Sequence, residues 1–161
     1  MLYMTREMKQ IFTRRITQAN RTQLLVIMYE MILTYIKDGI SAYNNGDTEE
    51  FKKSFGYARD CIAELRKNLD FKYDLSKTLF AIYTFADKEL ASNMYRNKID
   101  SAEDIKAIFM KLHDAYQTIS KEDKSEPLMA NTQNVYAGFT YGKTDVNECL
   151  VGYGGARGYC V

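Results

Sequence analysis

The sequence predicts an all-α fold: an antiparallel up-and-down four-helix bundle with an N-terminal arm and a flexible C-terminal tail. Three observations support this class. The 161 residues contain a single proline, Pro127, so long helices can run without interruption. Four segments repeat apolar residues at the spacing of three and four that marks one helix face. The connections between these segments are too short for a parallel return, which predicts antiparallel neighbours.

Domain boundaries follow from charge and glycine content. Residues 1–19 are assigned to the arm, 20–124 to the bundle and 125–161 to the flexible tail. Six of the nine glycines lie in the last 24 residues, where no helical apolar period is seen.

Helix starts are predicted where a polar residue is followed three positions later by Glu or Gln, because such pairs form capping boxes. The pairs are Asn20 with Gln23, Asp47 with Glu50, and Asp100 with Glu103. The remaining helix is predicted to start at Asp74. The second and fourth predicted helices each show one clean apolar face. These faces consist of Phe51, Phe55, Ala58, Ile62, Leu65 and Leu69, and of Ile105, Ile108, Phe109, Leu112, Tyr116 and Ile119.

The first and third predicted helices carry more apolar surface than a bundle core uses. Eleven of the thirteen residues from Leu24 to Ile36 are apolar or Tyr, as are seven of the eight from Leu79 to Ala86. A bundle helix normally buries about three positions per heptad. The surplus is expected to be covered by the amphiphilic residues 1–16 or by a partner segment laid into a groove. Two other interpretations stay open: the two helices are simply the most central ones, or the surface closes a homodimer.

Charge and apolar run length exclude several classes of protein. The 22 basic and 21 acidic residues nearly balance, which argues against a general nucleic-acid or membrane-surface binder. The longest apolar run, residues 24–36, is too short to cross a bilayer, so no stable membrane insertion is expected. The cysteines at 61, 149 and 160 form no CxxC pair, and no signal peptide is recognised at the start, which predicts a cytoplasmic location with reduced thiols.

The sequence indicates no enzyme, cofactor or metal site. His113 is the only histidine, so di-iron bundles and three-histidine zinc sites are excluded. We interpret His113 as a solvated helix residue beside Asp114. Cys61 is interpreted as a small buried hydrophobic residue rather than a nucleophile, because it adjoins Ile62 on the apolar face. No catalytic residue is therefore assigned.

Three stretches carry a resemblance to a known family. They are ITQANRTQLLVIMY over Ile16–Tyr29, IAELRKNLD over Ile62–Asp70 and LFAIYTFADKEL over Leu79–Leu90. In this order and spacing they resemble the FliS family, the flagellin-specific export chaperones of the flagellar type III secretion system. The similarity covers about Phe12 to Ser120.

The resemblance implies a cytoplasmic chaperone that binds the C-terminal segment of flagellin and prevents its premature polymerisation. It also implies delivery of flagellin to the flagellar type III export apparatus, with an export gate protein as a further partner. Phe12 and Ile16 would form a displaceable arm that occupies part of the site when it is empty. Candidate partner-binding residues, taken from the matched stretches and the surplus faces, are Met28, Tyr29, Leu69, Phe71, Tyr83 and Phe85.

Two other hypotheses compete with this one. The first is a self-associating helical adaptor whose spare apolar surface forms a homodimer, a state that the empty chaperone could also adopt. The second is an arm that binds acidic surfaces or nucleic acid through Arg14 and Arg15, since residues 1–21 hold five basic side chains against one acidic.

Overall fold

A computed structural model describes residues 4–129, and within them the chain forms five α-helices and no strand. The all-α prediction is confirmed. The predicted flexible tail lies almost wholly outside the described residues. The helices are α1 (Arg6–Gln18), α2 (Arg21–Asn44), α3 (Thr48–Lys67), α4 (Asp74–Arg96) and α5 (Ala102–Glu122).

The four long helices contact one another in a closed ring, in the order α2, α3, α4, α5 and back to α2. In each neighbouring pair, residues near the end of one helix contact residues near the start of the other, so every pair is antiparallel. Contacts that show this are Tyr43 with Phe51, Arg66 with Phe80, Asn93 with Ser101, and Asn20 with Asp123.

Two of the predicted helix starts are capped as expected. The Asn20 side chain accepts from the backbone N–H of Gln23 at 2.9 Å, and the Gln23 side chain accepts from the backbone N–H of Asn20 at 3.0 Å. The Asp47 carboxylate accepts from the backbone N–H of Glu50 at 3.0 Å. Each bond satisfies a donor that the first helical turn leaves without a partner.

The predicted capping pair Asp100 and Glu103 is wrong. Helix α5 starts at Ala102, and its N-cap is Ser101, whose side chain makes no capping bond. Other contacts engage the side chains of Ser101 and Asp100. The Ser101 hydroxyl accepts from Asn93 at 2.9 Å, and Asp100 pairs with Arg96 at 3.0 Å.

Helix α2 is the central element, and its close approach to α3 depends on Gly39. A methyl group built on Gly39 would lie 2.4 Å from the Phe55 ring. Phe55 is fully buried and packs edge-on against Phe51 at 4.7 Å between ring centroids. Glycine is therefore required where these two helices cross.

Residues of the predicted arm form a helix that the sequence analysis did not assign. Thr5 caps α1 by accepting from the backbone N–H of Met8 at 3.2 Å. Phe12 is buried in a small apolar cluster with Ala19 and Ile27, against which Ile16 and other partly buried residues pack. Helix α1 thus covers part of the apolar surplus of α2, whereas α4 keeps exposed apolar side chains.

Candidate protein-binding groove

Apolar side chains are exposed along the seam between α4 and α5. These two helices approach each other much less closely than the other neighbouring pairs in the ring. Leu75 and Phe85 of α4 are 60% and 50% exposed, and Ile119 of α5 is 50% exposed. We name this seam the α4–α5 groove, formed by Leu75, Ile82 and Phe85 of α4 and by Ile108, Leu112 and Ile119 of α5.

Helical spacing places these residues on the facing sides of the two helices. On α4, Phe80 and Asp87 contact α3 and so mark the side that faces away from the groove. Leu75, Ile82 and Phe85 are spaced by seven and three residues, so they share the other side. On α5, Ile108, Leu112 and Ile119 are spaced by four and seven residues and likewise share one face. His113 contacts Glu30 and so marks the other side of α5, which faces α2.

An aromatic layer closes the floor of the groove. The rings of Tyr83 and Phe109 are stacked within 3° of parallel, with centroids 6.4 Å apart. This pair and the Asn93–Ser101 hydrogen bond fix the antiparallel register of α4 and α5. The register places Leu75 opposite Ile119 and Phe85 opposite Ile108, so the groove has apolar walls along its length.

Two of the predicted site residues, Tyr29 and Tyr83, lie in the core rather than on the surface. Both are fully buried, and their hydroxyl oxygens are 2.5 Å apart. Burial raises the pKa of Tyr83 to about 12 and raises that of Tyr29 further. Both side chains are therefore neutral, and they lie beneath the groove. Their part in partner binding stays a prediction.

Removing one hydroxyl of this pair tests its contribution to stability. We expect Tyr83→Phe to lower the free energy of unfolding by about 1–3 kcal/mol, because the buried Tyr29 hydroxyl loses its partner. The double variant Tyr29→Phe with Tyr83→Phe should be no less stable than the single one, since no orphan hydroxyl remains. Urea unfolding of the four-member cycle measures the coupling, and additive losses would contradict the pairing.

The other predicted lining residues occupy three different places. Phe85 lies in the α4–α5 groove. Phe71 is exposed near the opposite flank of α4, where its ring meets Phe80 edge-on at 5.7 Å. Leu69 and Met28 are partly buried and pack against the core. The structure therefore does not bring the six residues into one surface.

Sequence reasoning missed most of the groove. Ile108, Leu112 and Ile119 were assigned to the core face of the last predicted helix, and Leu75 and Ile82 were not singled out. The width of that apolar face was a signal of extra apolar surface, because Ile108 and Ile119 widen the face on the same flank. Which flank lacks a neighbour depends on how far apart α4 and α5 lie, and periodicity does not contain that distance.

The predicted arm residues Phe12 and Ile16 belong to α1 and pack against α2. Helix α1 is held near both ends by polar contacts as well as by Phe12. The backbone N–H of Met4 donates to Asp38 at 2.6 Å, and Arg15 pairs with Glu30. Burial raises the pKa of Asp38 despite this hydrogen bond.

Glu30 joins three helices, and the interpretation of His113 as a merely solvated residue is wrong. His113 Nε2 lies 3.2 Å from Glu30 Oε1, and its Nδ1 lies 3.1 Å from Asp114. Only the packing of α5 on α2 brings His113 and Glu30 together, so spacing along the chain could not show it. Burial alone raises the Glu30 pKa, but the hydrogen bonds from Arg15 and His113 outweigh it and hold that pKa below its usual value.

The depressed pKa predicts the pH dependence of this junction. The contribution of the Glu30 contacts to the free energy of unfolding is present above the Glu30 pKa of the unfolded chain. It is lost as the pH falls through the lower pKa of the folded chain. We expect Glu30→Gln to lower the free energy of unfolding by at most about 1 kcal/mol near pH 7, because Arg15 is well exposed. The difference from the wild type should shrink below about pH 4.5. Urea unfolding across this range measures it, with the exposed Glu49→Gln as control, and a constant difference would contradict the assignment.

No group of His, Cys, Asp or Glu side chains in residues 4–129 is arranged to hold a metal ion. None of the helices α1 to α5 is both long and apolar enough to span a membrane. Cys61 is buried, and burial raises the pKa of its thiol to about 11, which agrees with its interpretation as a small hydrophobic residue. What the described part of the chain offers instead is apolar surface.

An antiparallel helical body with an open apolar groove is typical of proteins that bind a segment of another chain. The family described as flagellar protein FliS matches residues 4–123. The chain therefore belongs to the FliS family, which implies a flagellar chaperone role and is not known for enzymatic activity. No curated protein gives a significant sequence match to the chain.

Proposed function

We propose that this protein is a cytoplasmic export chaperone that binds the C-terminal segment of flagellin. It prevents premature polymerisation of flagellin and delivers it, through an export gate protein, to the flagellar type III export apparatus. Family membership supports the chaperone role. The observation that carries the binding proposal is the α4–α5 groove, where Leu75, Phe85 and Ile119 are at least half exposed.

The shape of the groove suits an amphipathic helix of the guest chain. Residues 75–85 extend about 15 Å along α4, which is close to three helical turns. A guest helix with apolar residues at positions i, i+3, i+4 and i+7 could place them between the two walls. Burial of that apolar face would also hide it from other flagellin molecules, which is how binding would prevent polymerisation.

The second part of the proposal concerns the arm. Phe12 and Ile16 pack on α2, so α1 covers apolar surface that a longer guest segment could use after displacing it. Only Phe12 is buried among the residues of α1. Displacement would expose Phe12, which costs about 1.5–3 kcal/mol of apolar burial. It would also break the contacts of Met4 with Asp38 and of Arg15 with Glu30.

Calorimetric titration with a flagellin C-terminal peptide tests the proposal. We expect one-to-one binding with a negative heat-capacity change, because apolar surface is buried. A peptide of the same composition in scrambled order is the control. Absence of binding by the C-terminal peptide, or equal binding of the scrambled one, would contradict the proposal.

Sedimentation at several protein concentrations separates the chaperone from the self-associating adaptor. A chaperone should be monomeric with peptide bound, whatever its state when empty. A dimer that never yields a monomer to added peptide would favour the adaptor, because the second copy would then keep the apolar surface closed.

A further inference from the structure

The contact of α1 with α2 combines an apolar part and a charged part. Phe12 is buried in one apolar cluster with Ile27 of α2, and Ile16 packs against this cluster. Arg15 pairs with Glu30 of α2. Positions 12, 15 and 16 are neighbours on the surface of a helix, because residues three and four apart lie on one face. Helix α1 therefore meets α2 with a large apolar side chain and a cation side by side.

The carboxylate of Glu30 has partners on two other helices. Its Oε2 accepts a hydrogen bond from Arg15 of α1, and its Oε1 lies 3.2 Å from Nε2 of His113 on α5. Nδ1 of His113 lies 3.1 Å from Asp114, so polar groups face both nitrogens of the ring. If α1 were displaced, Glu30 would lose Arg15 and keep His113. The carboxylate would then remain oriented, with Oε2 lacking its partner.

An open cleft of about 360 Å³ lies beside this carboxylate, between α1, α2 and α5. Gln18 of α1, Val26 and Glu30 of α2, and Gln117 of α5 are among the residues that line it. Helix α1 thus leaves free space next to Glu30. A guest side chain can approach the carboxylate through the cleft while α1 is still in place.

A guest that covers this part of α2 has to supply a partner for Glu30. The Glu30 side chain is only 26% exposed, so a segment packed on Ile27 would remove most of its remaining contact with water. A carboxylate that is covered without a donor is strongly destabilising. Guanidinium and ammonium groups form the strongest hydrogen bonds to a carboxylate. The chemistry of the surface therefore selects a basic side chain next to an apolar one.

We propose that Glu30 binds a basic side chain of the guest segment in place of Arg15. The guest would repeat the pattern of α1, with a large apolar residue followed three positions later by Arg or Lys. Glu30 holds the arm in the empty protein and the guest after displacement. This inference rests on the proposed function, because it names the residue type by which the surface under α1 recognises the flagellin C-terminal segment.

Two variants of the full chain separate the two roles of Glu30 in calorimetric titration with a flagellin C-terminal peptide. We expect Arg15→Gln to raise the affinity by about two- to fivefold, because α1 is held less firmly and Glu30 remains available. Glu30→Gln loosens α1 in the same way but removes the guest contact. Its affinity should be at least about tenfold below that of Arg15→Gln. Equal gains in both variants would show that Glu30 only holds the arm and would overturn the proposal.

Glu49→Gln is the charge control for Glu30→Gln. Glu49 is exposed in the first turn of α3, and the substitution removes the same negative charge. We expect wild-type affinity for this variant. A loss equal to that of Glu30→Gln would assign the effect to net charge and overturn the proposal. Circular dichroism checks that each variant is folded.

Peptide variants identify the guest side chain. Each Lys and Arg of the peptide is replaced by Gln, one at a time. One of these peptides should bind the wild type about tenfold more weakly than the original, yet bind Glu30→Gln within about threefold of it, since the shared contact is already lost. The same loss against both proteins would place that residue elsewhere. This result, or a flagellin C-terminal segment without Lys or Arg, would overturn the proposal.

His113 is a positioning residue for Glu30 in this scheme. We expect His113→Ala to weaken the original peptide by about threefold and to leave unchanged the affinity of the peptide that lacks the basic residue. His113→Gln should restore the affinity, because a glutamine amide can donate to Glu30 from nearly the same place. Equal losses for both peptides would reduce His113 to a structural role and contradict this positioning.

The outcomes distinguish this inference from the proposed function. Absence of binding by the wild type would contradict the proposed function, and the inference would fail with it. Binding by the wild type with equal affinities of Arg15→Gln and Glu30→Gln would overturn the inference alone. Phe85→Asp, which changes the α4–α5 groove, should lower the affinity of all the peptides alike, because Phe85 does not contact Glu30.

Discussion

Phe85→Asp is expected to weaken binding of a flagellin C-terminal peptide by about 10- to 100-fold, as truncation of a central apolar contact commonly does. Phe85 forms one wall of the α4–α5 groove opposite Ile108, and a carboxylate there would have to be desolvated by the guest. The folded state should change little, because half of the Phe85 side chain is already in water. Calorimetric titration measures the affinity, and thermal unfolding checks the fold.

Tyr95→Asp is the matched control for Phe85→Asp. Tyr95 lies on the same helix, is aromatic and is 92% exposed, but it lies near the far end of α4 and outside the groove. We expect wild-type affinity for this variant. If both variants bind the peptide as the wild type does, the α4–α5 groove is not the site. If both variants lose affinity equally, the added negative charge causes the loss, and the location of Phe85 in the groove does not.

Gly39→Ala is expected to destabilise the protein by up to about 2 kcal/mol net, because overpacking a filled core forces its neighbours to move at a cost of about 1–3 kcal/mol. The added methyl would approach two Phe55 ring carbons at 2.4 and 2.5 Å. The ring cannot swing away freely, since Phe55 is fully buried against Phe51. This loss should exceed the gain of about 1 kcal/mol that alanine gives over glycine inside a helix. Urea unfolding measures the net change.

Gly56→Ala is the control for Gly39→Ala. Gly56 lies in α3, one residue after Phe55, and a methyl built there meets no atom within 4 Å. Helix propensity acts alone at this position, so we expect a gain of about 0.5–1 kcal/mol. Opposite signs for the two substitutions would locate the effect in the α2–α3 contact. A stabilised Gly39→Ala variant would contradict it.

Local signals predicted most of the helix positions. The capping box of Asn20 and Gln23 and the cap of Asp47 depend on residues three apart, so the sequence alone contains them. The failure at Asp100 has a long-range cause. Ser101 bonds to Asn93 of the preceding helix, and that contact is not visible in the spacing of the capping signal.

The six predicted lining residues do not lie on one surface, and their part in partner binding stays a prediction. Among the aromatic residues of the matched stretches, Phe85 lies at the groove, whereas Tyr29 and Tyr83 are core residues that share a hydrogen bond. Phe85 is the only one of the six predicted lining residues that lies in the α4–α5 groove. The remaining groove residues had the same apolar period as core residues, and a period does not distinguish a buried flank from an exposed one.

The sequence by itself determined the all-α class, the surplus of apolar surface on two helices and the family resemblance. These depend on side-chain period, capping pairs and residue identity, all of which are local in the chain. Only the tertiary structure decided how that surplus is distributed: α1 packs on α2, while the seam between α4 and α5 stays open. The reason is physical, because exposure of an apolar residue depends on the distance to neighbouring helices, and that distance results from packing of the whole chain.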